Sequence, residues 1–409
     1  MLQDRKDDSL GIYISIPFCK AKCSFCNFAS DVFAGQRIDT YLDRVLLEIA
    51  ESDDWAAKLD ARMTHSVDTI YLGGGTPSLL EPAQVTRLFG AIREMFNVDL
   101  DAEITVEAAP RQLASATLAA LVGAGVNRLS FGVQSFVDAE CAAVGRLHTG
   151  QECRAELKRM ADAGVKRVGI DLIAGLPGQT AASWRTSVEQ AIESGVEHVS
   201  IYMLEIDEDS RLGREKISGG GRYGAGSLPD DDSVAENYAF ACEWLNRAGL
   251  AQYEISNFAR AGGESRHNRR YWERRPYLGF GLDAHSMLRV NADATGAVRW
   301  GNAETMDHYM HGLSRLDGQD SWQRTVDRID QSSALEESLF LGLRLVEGVS
   351  MSALDRQFGR IAVARVADAL QEVIQAGLLT RSEDRLQLTA NGRLLSNEVF
   401  SRLLLQPSA

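Results

Sequence analysis

Three cysteines stand within eight residues near the start of this 409-residue chain, in Pro17-Phe18-Cys19-Lys20-Ala21-Lys22-Cys23-Ser24-Phe25-Cys26. The spacing is Cys-x3-Cys-x2-Cys, which gathers three thiolates on one short segment. Cysteine thiolates are the usual ligands of iron–sulfur clusters. A cubane has four irons, so Cys19, Cys23 and Cys26 would leave one iron open to an exogenous group. Structural zinc takes four ligands. No neighbouring residue offers the fourth, and His65, the nearest histidine, lies far along the chain. Cys141, Cys153 and Cys242 fall in helix-like stretches and read as packing residues.

A second chemical signal is Gly73-Gly74-Gly75-Thr76-Pro77, just after an apparent strand. Three glycines allow a close approach that side chains would block, so a small ligand can lie against their peptide groups. A third is Arg266-His267-Asn268-Arg269-Arg270-Tyr271-Trp272, where five arginines stand between Arg266 and Arg275 in a chain of net charge −14. A solvated basic turn and a protein contact are the plainer readings of that run.

Regular elements must position these groups. β-rich runs cover Ile12–Ile16, Val67–Leu72, Glu103–Glu107, Arg128–Val133, Arg167–Ile173 and His198–Leu204. Helical periodicity lies between them, over Tyr41–Ala50, Gln84–Phe96, Glu152–Ala163 and Trp184–Ile192. A small unit recurs where helix passes to strand: Ala124-Gly125-Val126, Ala163-Gly164-Val165 and Ser194-Gly195-Val196, then Ala248-Gly249-Leu250 and Ala376-Gly377-Leu378. Glycine just past a helix end supplies a left-handed cap. Six strand–helix units of this kind predict a parallel β/α sheet, a barrel or part of one, with chemistry at the carboxyl ends of the strands. The cysteines and the glycine loop both follow strands, so they fall at that end.

The residues Tyr13-Ile14-Ser15-Ile16-Pro17-Phe18-Cys19, Leu72-Gly73-Gly74-Gly75-Thr76-Pro77, Phe131-Gly132-Val133-Gln134-Ser135 and Asp171-Leu172-Ile173-Ala174-Gly175-Leu176-Pro177 carry a resemblance. Together they resemble the radical S-adenosylmethionine (SAM) family of oxygen-independent coproporphyrinogen oxidases and the related haem chaperones, over most of the chain. The resemblance implies a partial (β/α)6 barrel, α/β in class, with a small C-terminal helical, winged-helix-like domain. It implies a [4Fe–4S] cluster on Cys19, Cys23 and Cys26. It assigns SAM to Tyr13, Gly73, Gly74, Gly75, Thr76, Glu107, Gln134, Arg146 and Asp171. The chemistry suits: carboxylates accept ribose hydroxyl or amino protons, and a guanidinium fork pairs with the SAM carboxylate. Arg146 also reads as an internal salt-bridge residue.

Within this family the oxidase branch carries a fourth cysteine two residues after the third; here Cys26-Asn27 is followed by Phe28, as in the chaperone branch. The resemblance of Arg266–Trp272 to the chaperones' His-Asn-x-x-Tyr-Trp motif points the same way. It implies haem as cargo, with His267 as a candidate iron ligand, arginines for the propionates and flat aromatic faces. Two departures stand out. Leu282 and Asp283 replace smaller residues before His285, and Ala108-Ala109 precedes Pro110 where asparagine is usual. The expected function is a haem chaperone. Its partners are haem or porphyrin, a haem-acceptor protein and an electron donor for the cluster, with transient membrane association. The alternative is oxidative decarboxylation of porphyrinogen propionates.

The rest of the sequence bounds this reading. An acidic balance weighs against a broad nucleic-acid surface. No apolar run approaches the roughly 20 residues needed to span a bilayer, and Met1–Ser9 is polar and charged, which predicts a cytoplasmic protein with reduced thiols. The expected divisions are residues 1–206 for the barrel, 207–330 for an extension, and 331–409 for the C-terminal domain. Gly219-Gly220-Gly221, Gly224 and Gly226 lie in a stretch, 207–232, that reads as a mobile lid or a linker.

Overall fold

Leu10-Gly11-Ile12-Tyr13-Ile14-Ser15-Ile16 alternates large apolar residues with small or polar ones, the period-2 pattern of a strand with two unlike faces. In the computed structural model, which describes residues 9–27, 29, 31–32, 36–291, 295–311 and 324–403, this run is β1 (Leu10–Ile16). The barrel strands that follow are β2 (Ser66–Gly74), β3 (Asn97–Ala108), β4 (Arg128–Gln134), β5 (Arg167–Ala174) and β6 (His198–Met203). Then come β7 (Ala251–Gln252), β8 (Asn257–Ala259), β9 (Tyr277–Phe280), β10 (His285–Arg289), β11 (Ala297–Gly301) and β12 (Thr325–Ile329). Among the described residues they form one twelve-stranded sheet in the order β12-β11-β10-β9-β1-β2-β3-β4-β5-β6-β8-β7. β9 and β1 through β6 run parallel, and both edges are antiparallel. The partial α/β barrel is present as expected, with edges longer than the six sequence units suggested.

The alternation divides the sheet. Ile12, Ile14, Ile70, Leu72, Val106, Leu129, Phe131, Ile170, Leu172 and Val199 are all buried and join the main core. The residues between them are Tyr13, Ser15, Thr69, Tyr71, Glu103, Thr105, Glu107, Arg128, Ser130, Asp171, His198 and Ser200. A parallel sheet covered by apolar layers on both faces would read as continuous hydrophobic runs. Here the second, polar face encloses the site.

The five turn glycines have the left-handed backbone their positions demand, with φ of +92° at Gly125, +85° at Gly164, +73° at Gly195, +80° at Gly249 and +72° at Gly377.

The stretch read as a lid or linker carries regular structure of its own. Arg211–Ser218 is a helix with Ser210 as its N-cap. The Glu215 carboxylate accepts backbone N–H bonds from Arg222 (2.9 Å), Tyr223 (2.8 Å) and Ala225 (3.1 Å). Gly178 N–H donates to Ser227 O at 2.7 Å, which ties the loop to the end of β5.

Beyond β12, helices Gln331–Gly342, Met351–Phe358, Arg360–Ala369 and Gln371–Gln375 precede an antiparallel hairpin, Leu379–Ser382 with Arg385–Leu388. Their apolar residues form a second core with Leu339, Leu354, Phe358, Val366, Val373 and Leu388. Among the described residues no helix is long and apolar enough to cross a membrane.

Candidate cluster and SAM site

The chain leaves β1 at Ile16 and enters the cysteine loop directly. Gly75 N–H donates to Ile16 O at 3.0 Å and Thr76 N–H to Phe18 O at 2.8 Å. The Thr76 hydroxyl reaches Cys19 Sγ at 3.6 Å. A Cβ at Gly75 would stand 2.7 Å from Phe18 N and 2.8 Å from both Ile16 O and Phe18 O. Glycine is therefore a packing requirement there: it lets the two loops lie backbone to backbone.

The far side of the cysteine loop is held by distant residues. Ser24 N–H donates to Val144 O at 3.1 Å, and Leu212 N–H donates to Ser24 O at 2.9 Å. Arg211 donates to Lys22 O at 3.3 Å, and Asn27 to Asp207 at 3.5 Å. Phe25 packs on Val144, Ile173 and Leu176. All three cysteines remain partly exposed. Among the described residues no three metal-ligating side chains converge as they would on a single ion. A cubane asks for something else, one thiolate at each of three separate iron corners. Phe28 lies outside the described residues.

Around this loop stand the polar strand ends. A Cβ at Gly74 would lie 3.5 Å from the Tyr13 hydroxyl, and one at Gly73 would lie 3.0 Å from Glu107 Oε1. The Tyr71 hydroxyl donates to Glu107 Oε1 at 2.8 Å. The Ser130 hydroxyl meets both Asp171 oxygens, at 3.3 and 3.2 Å. Burial pushes the Glu107 carboxyl up to about 7, with the Asp171 charge adding to it and Tyr71 opposing. Asp171 is raised too, chiefly by burial. Gln134 adopts φ +69°, an uncommon conformation for a non-glycine residue, at the irregular step in the β4–β5 register. Its amide and the Arg146 guanidinium both lie beside Gly132, 3.0 and 3.1 Å from where a Cβ would be. Arg146 acts electrostatically on both Cys23 and Asp171, and its buried Nε has no hydrogen-bond partner. Asp283 is half exposed and adds to the burial that raises the Tyr13 hydroxyl.

All the residues assigned to cluster and SAM thus gather at the carboxyl ends of the strands. The set fits the group it would hold: three thiols on one loop, a glycine cradle, carboxyls for hydroxyl or amino protons, and a guanidinium N–H without a partner. Sequence reading missed Tyr71, Ser130, Ser200 and Tyr202, which line the same face. The polar positions of alternating strands were the signal for them.

His267 is elsewhere. The Arg266–Trp272 helix, capped by Ser265, lies toward the amino ends of the strands, reaching Ser9 just before β1, Asp68 and Thr69 of β2, and Asp101 and Glu103 of β3. His267 is 1% exposed. Its Nδ1 lies 3.0 Å from Thr69 Oγ1 and its Nε2 2.9 Å from the Tyr271 hydroxyl. Burial, helped by the Arg270 charge, pushes its pKa down to about 3. Both nitrogens meet hydroxyl groups in the interior, so the expected role of His267 as a haem ligand finds no support in this geometry. The neighbouring arginines are also taken. Arg270 is fully buried against Asp68, Ser9 O and Pro276 O. Arg274 pairs with Glu337 at 2.8 Å, and Arg269 with Glu347 at 2.7 Å.

The radical SAM superfamily profile matches residues 13–191 and the HemN C-terminal domain profile residues 329–395. The heme chaperone HemW of Bacillus subtilis is 33% identical over 96% of this chain and 98% of its own length. That of Mycobacterium tuberculosis is 35% identical over 96% and 94%. The chain belongs to the HemW family of radical SAM proteins. Membership implies a [4Fe–4S] cluster and SAM. The solved coproporphyrinogen III oxidase HemN of Escherichia coli superposes with a TM-score of 0.80 at 25% identity, covering 97% of this chain and 90% of that one. The family's fold therefore extends through the C-terminal domain.

Proposed function

We propose that this protein is a haem chaperone. It holds a [4Fe–4S] cluster on Cys19, Cys23 and Cys26, binds SAM at the strand ends, and carries haem to an acceptor protein. The observation that carries this reading is similarity along nearly the whole chain to proteins named as heme chaperones, at 33% and 35% identity. Phe28 in place of a fourth cysteine supports it.

Cys19, Cys23 and Cys26 would hold the cluster, which would supply an open iron and an electron for the carbon–sulfur bond of SAM. This chain's residues would do the rest. Thr76 steadies the Cys19 sulfur. Tyr13, Gly73, Gly74 and Gly75 present a close-fitting wall. Arg146 receives the SAM carboxylate through its unpartnered Nε–H, and Glu107, Gln134 and Asp171 accept or donate to the ribose and amino groups. Residues 1–206 build this site, 207–330 close its side and floor, and 331–409 add the C-terminal domain. An electron donor and a haem acceptor are the protein partners.

The test is an anaerobic reaction of cluster-reconstituted protein with SAM, reductant and coproporphyrinogen III, beside a haem titration followed by absorbance. Saturable haem binding without decarboxylated product is expected. Decarboxylated product at catalytic turnover would overturn the chaperone reading in favour of an oxidase.

A further inference from the structure

The Arg266–Trp272 helix sits at the opposite end of the barrel from the cysteines, yet one line of contacts runs from it to the strand-end site. We propose that His267 is a positioning residue for SAM, acting through Tyr71 on the Glu107 carboxylate. The proposal rests on the reading that SAM lies against Glu107.

The His267 ring lies under Tyr71, with centroids 5.3 Å apart and planes 27° apart. Tyr71 in turn lies beside Tyr13, at 6.2 Å and 26°. The phenol of Tyr71 points its hydroxyl to Glu107 Oε1 at 2.8 Å. From above, Gly73 closes the pair: a Cβ there would stand 3.0 Å from both Tyr71 Cε1 and Glu107 Oε1. The phenol and the carboxylate are thus held between a glycine without a side chain and an imidazole with a partner at each nitrogen.

His267 is fixed from three directions. Thr69, two residues before Tyr71 on the same strand, meets Nδ1; the Tyr271 hydroxyl meets Nε2; and His267 N–H donates to Glu103 Oε1 at 3.0 Å. Burial keeps the ring neutral at working pH, so its flat face packs under the phenol without a charge. Removing the ring opens a void beneath Tyr71, and a neighbour relaxes only partly into such a space. The phenol then tilts and its bond to Glu107 lengthens.

The titratable groups facing Glu107 are Tyr71, Tyr13, Asp171 and Tyr202, with the Gly74 N–H also donating to it. Tyr71 supplies the side-chain hydrogen bond that favours the carboxylate. Losing it makes Glu107 harder to ionise, so SAM binding that needs the carboxylate shifts to higher pH.

The experiment is SAM affinity of cluster-reconstituted full-length protein from pH 5.5 to 8.5, in wild type, Tyr71→Phe and His267→Ala, with haem titrated in parallel. Wild type is expected to bind SAM more tightly as pH rises through about 7. Both variants are expected to move that midpoint up by about one unit, which weakens SAM at pH 7 by about fivefold, with haem affinity unaltered. A His267→Ala profile identical to wild type would overturn the inference, whatever Tyr71→Phe shows, and leave the SAM site standing. Loss of haem binding in His267→Ala with SAM unaltered would overturn it as well and restore a haem role. Absence of SAM binding in wild type would remove the site reading together with the inference. If His267→Ala fails to fold, His267→Gln takes its place and is read in the same way.

Discussion

The two ends of the barrel use the same residue types to opposite effect. At the amino ends of the strands, carboxylates meet cations. Asp68 faces Arg270, Arg275 at 3.1 Å and Arg266 at 3.6 Å. Burial alone would raise its carboxyl, but the three guanidinium groups hold it below the usual range. At the carboxyl ends, among the described residues, Glu107 and Asp171 join no ion pair, and burial raises both. A buried carboxylate that is paired is part of the framework. One left unpaired beside a cradle is a candidate ligand-binding group.

Breaking the floor should have the largest effect. Arg270→Met is expected to cost about 3–5 kcal/mol, the usual consequence of leaving one member of a buried pair alone, read as a lower denaturant midpoint at unchanged slope. A destabilisation below about 1 kcal/mol would mean that Arg275 and Arg266 already neutralise Asp68.

At the site end the sign reverses. Glu107 binds its proton more tightly folded (about 7) than unfolded (4.5). Its contribution to stability is therefore full below pH 4.5 and is lost as pH rises through 7, by at most about 3 kcal/mol. Glu107→Gln should flatten that decline and weaken SAM at least about tenfold. Urea titrations at pH 5 and pH 8 check the first effect and equilibrium dialysis the second. A variant as pH-dependent as wild type would place the decline on another group.

The smallest effect is expected at the 207–227 stretch beside the cysteine loop. Glu215→Ala removes the acceptor of the Arg222, Tyr223 and Ala225 N–H groups. Limited proteolysis should then cut near Gly219–Gly221 faster, with far-UV circular dichroism unchanged. Equal cleavage rates would show that the Gly178–Ser227 bond holds the loop alone.

Much of this was legible in the sequence, and the limits have physical causes. The six barrel strands were visible because their outward residues are uniformly apolar. The glycine turns were visible because only glycine takes a left-handed cap without cost. The cysteine and glycine loops declared themselves by spacing. The direction of the Arg266–Trp272 motif did not, because residue types reveal chemistry and not which way a helix faces. Its periodicity held the answer. His267, Arg270 and Arg274 recur at helical spacing and are 1%, 0% and 3% exposed, whereas the side chains of Arg266, Arg269 and Glu273 turn outward. The Glu215 clamp was hidden for a different reason: a carboxylate that collects backbone N–H groups has no sequence pattern of its own.

The grip of residues 207–212 on the cysteine loop has a consequence for how the protein is made. Ser24 and Lys22 are held by Leu212 and Arg211, and Asn27 by Asp207, 180 or more positions downstream. Synthesis runs from the amino terminus at about 5–20 residues per second. The three thiols therefore leave the ribosome on the order of ten seconds or more before the segment that fixes their loop. During that interval they are loose, solvent-facing cysteines, open to oxidation. The final geometry for a cluster arises only after half the chain has been translated.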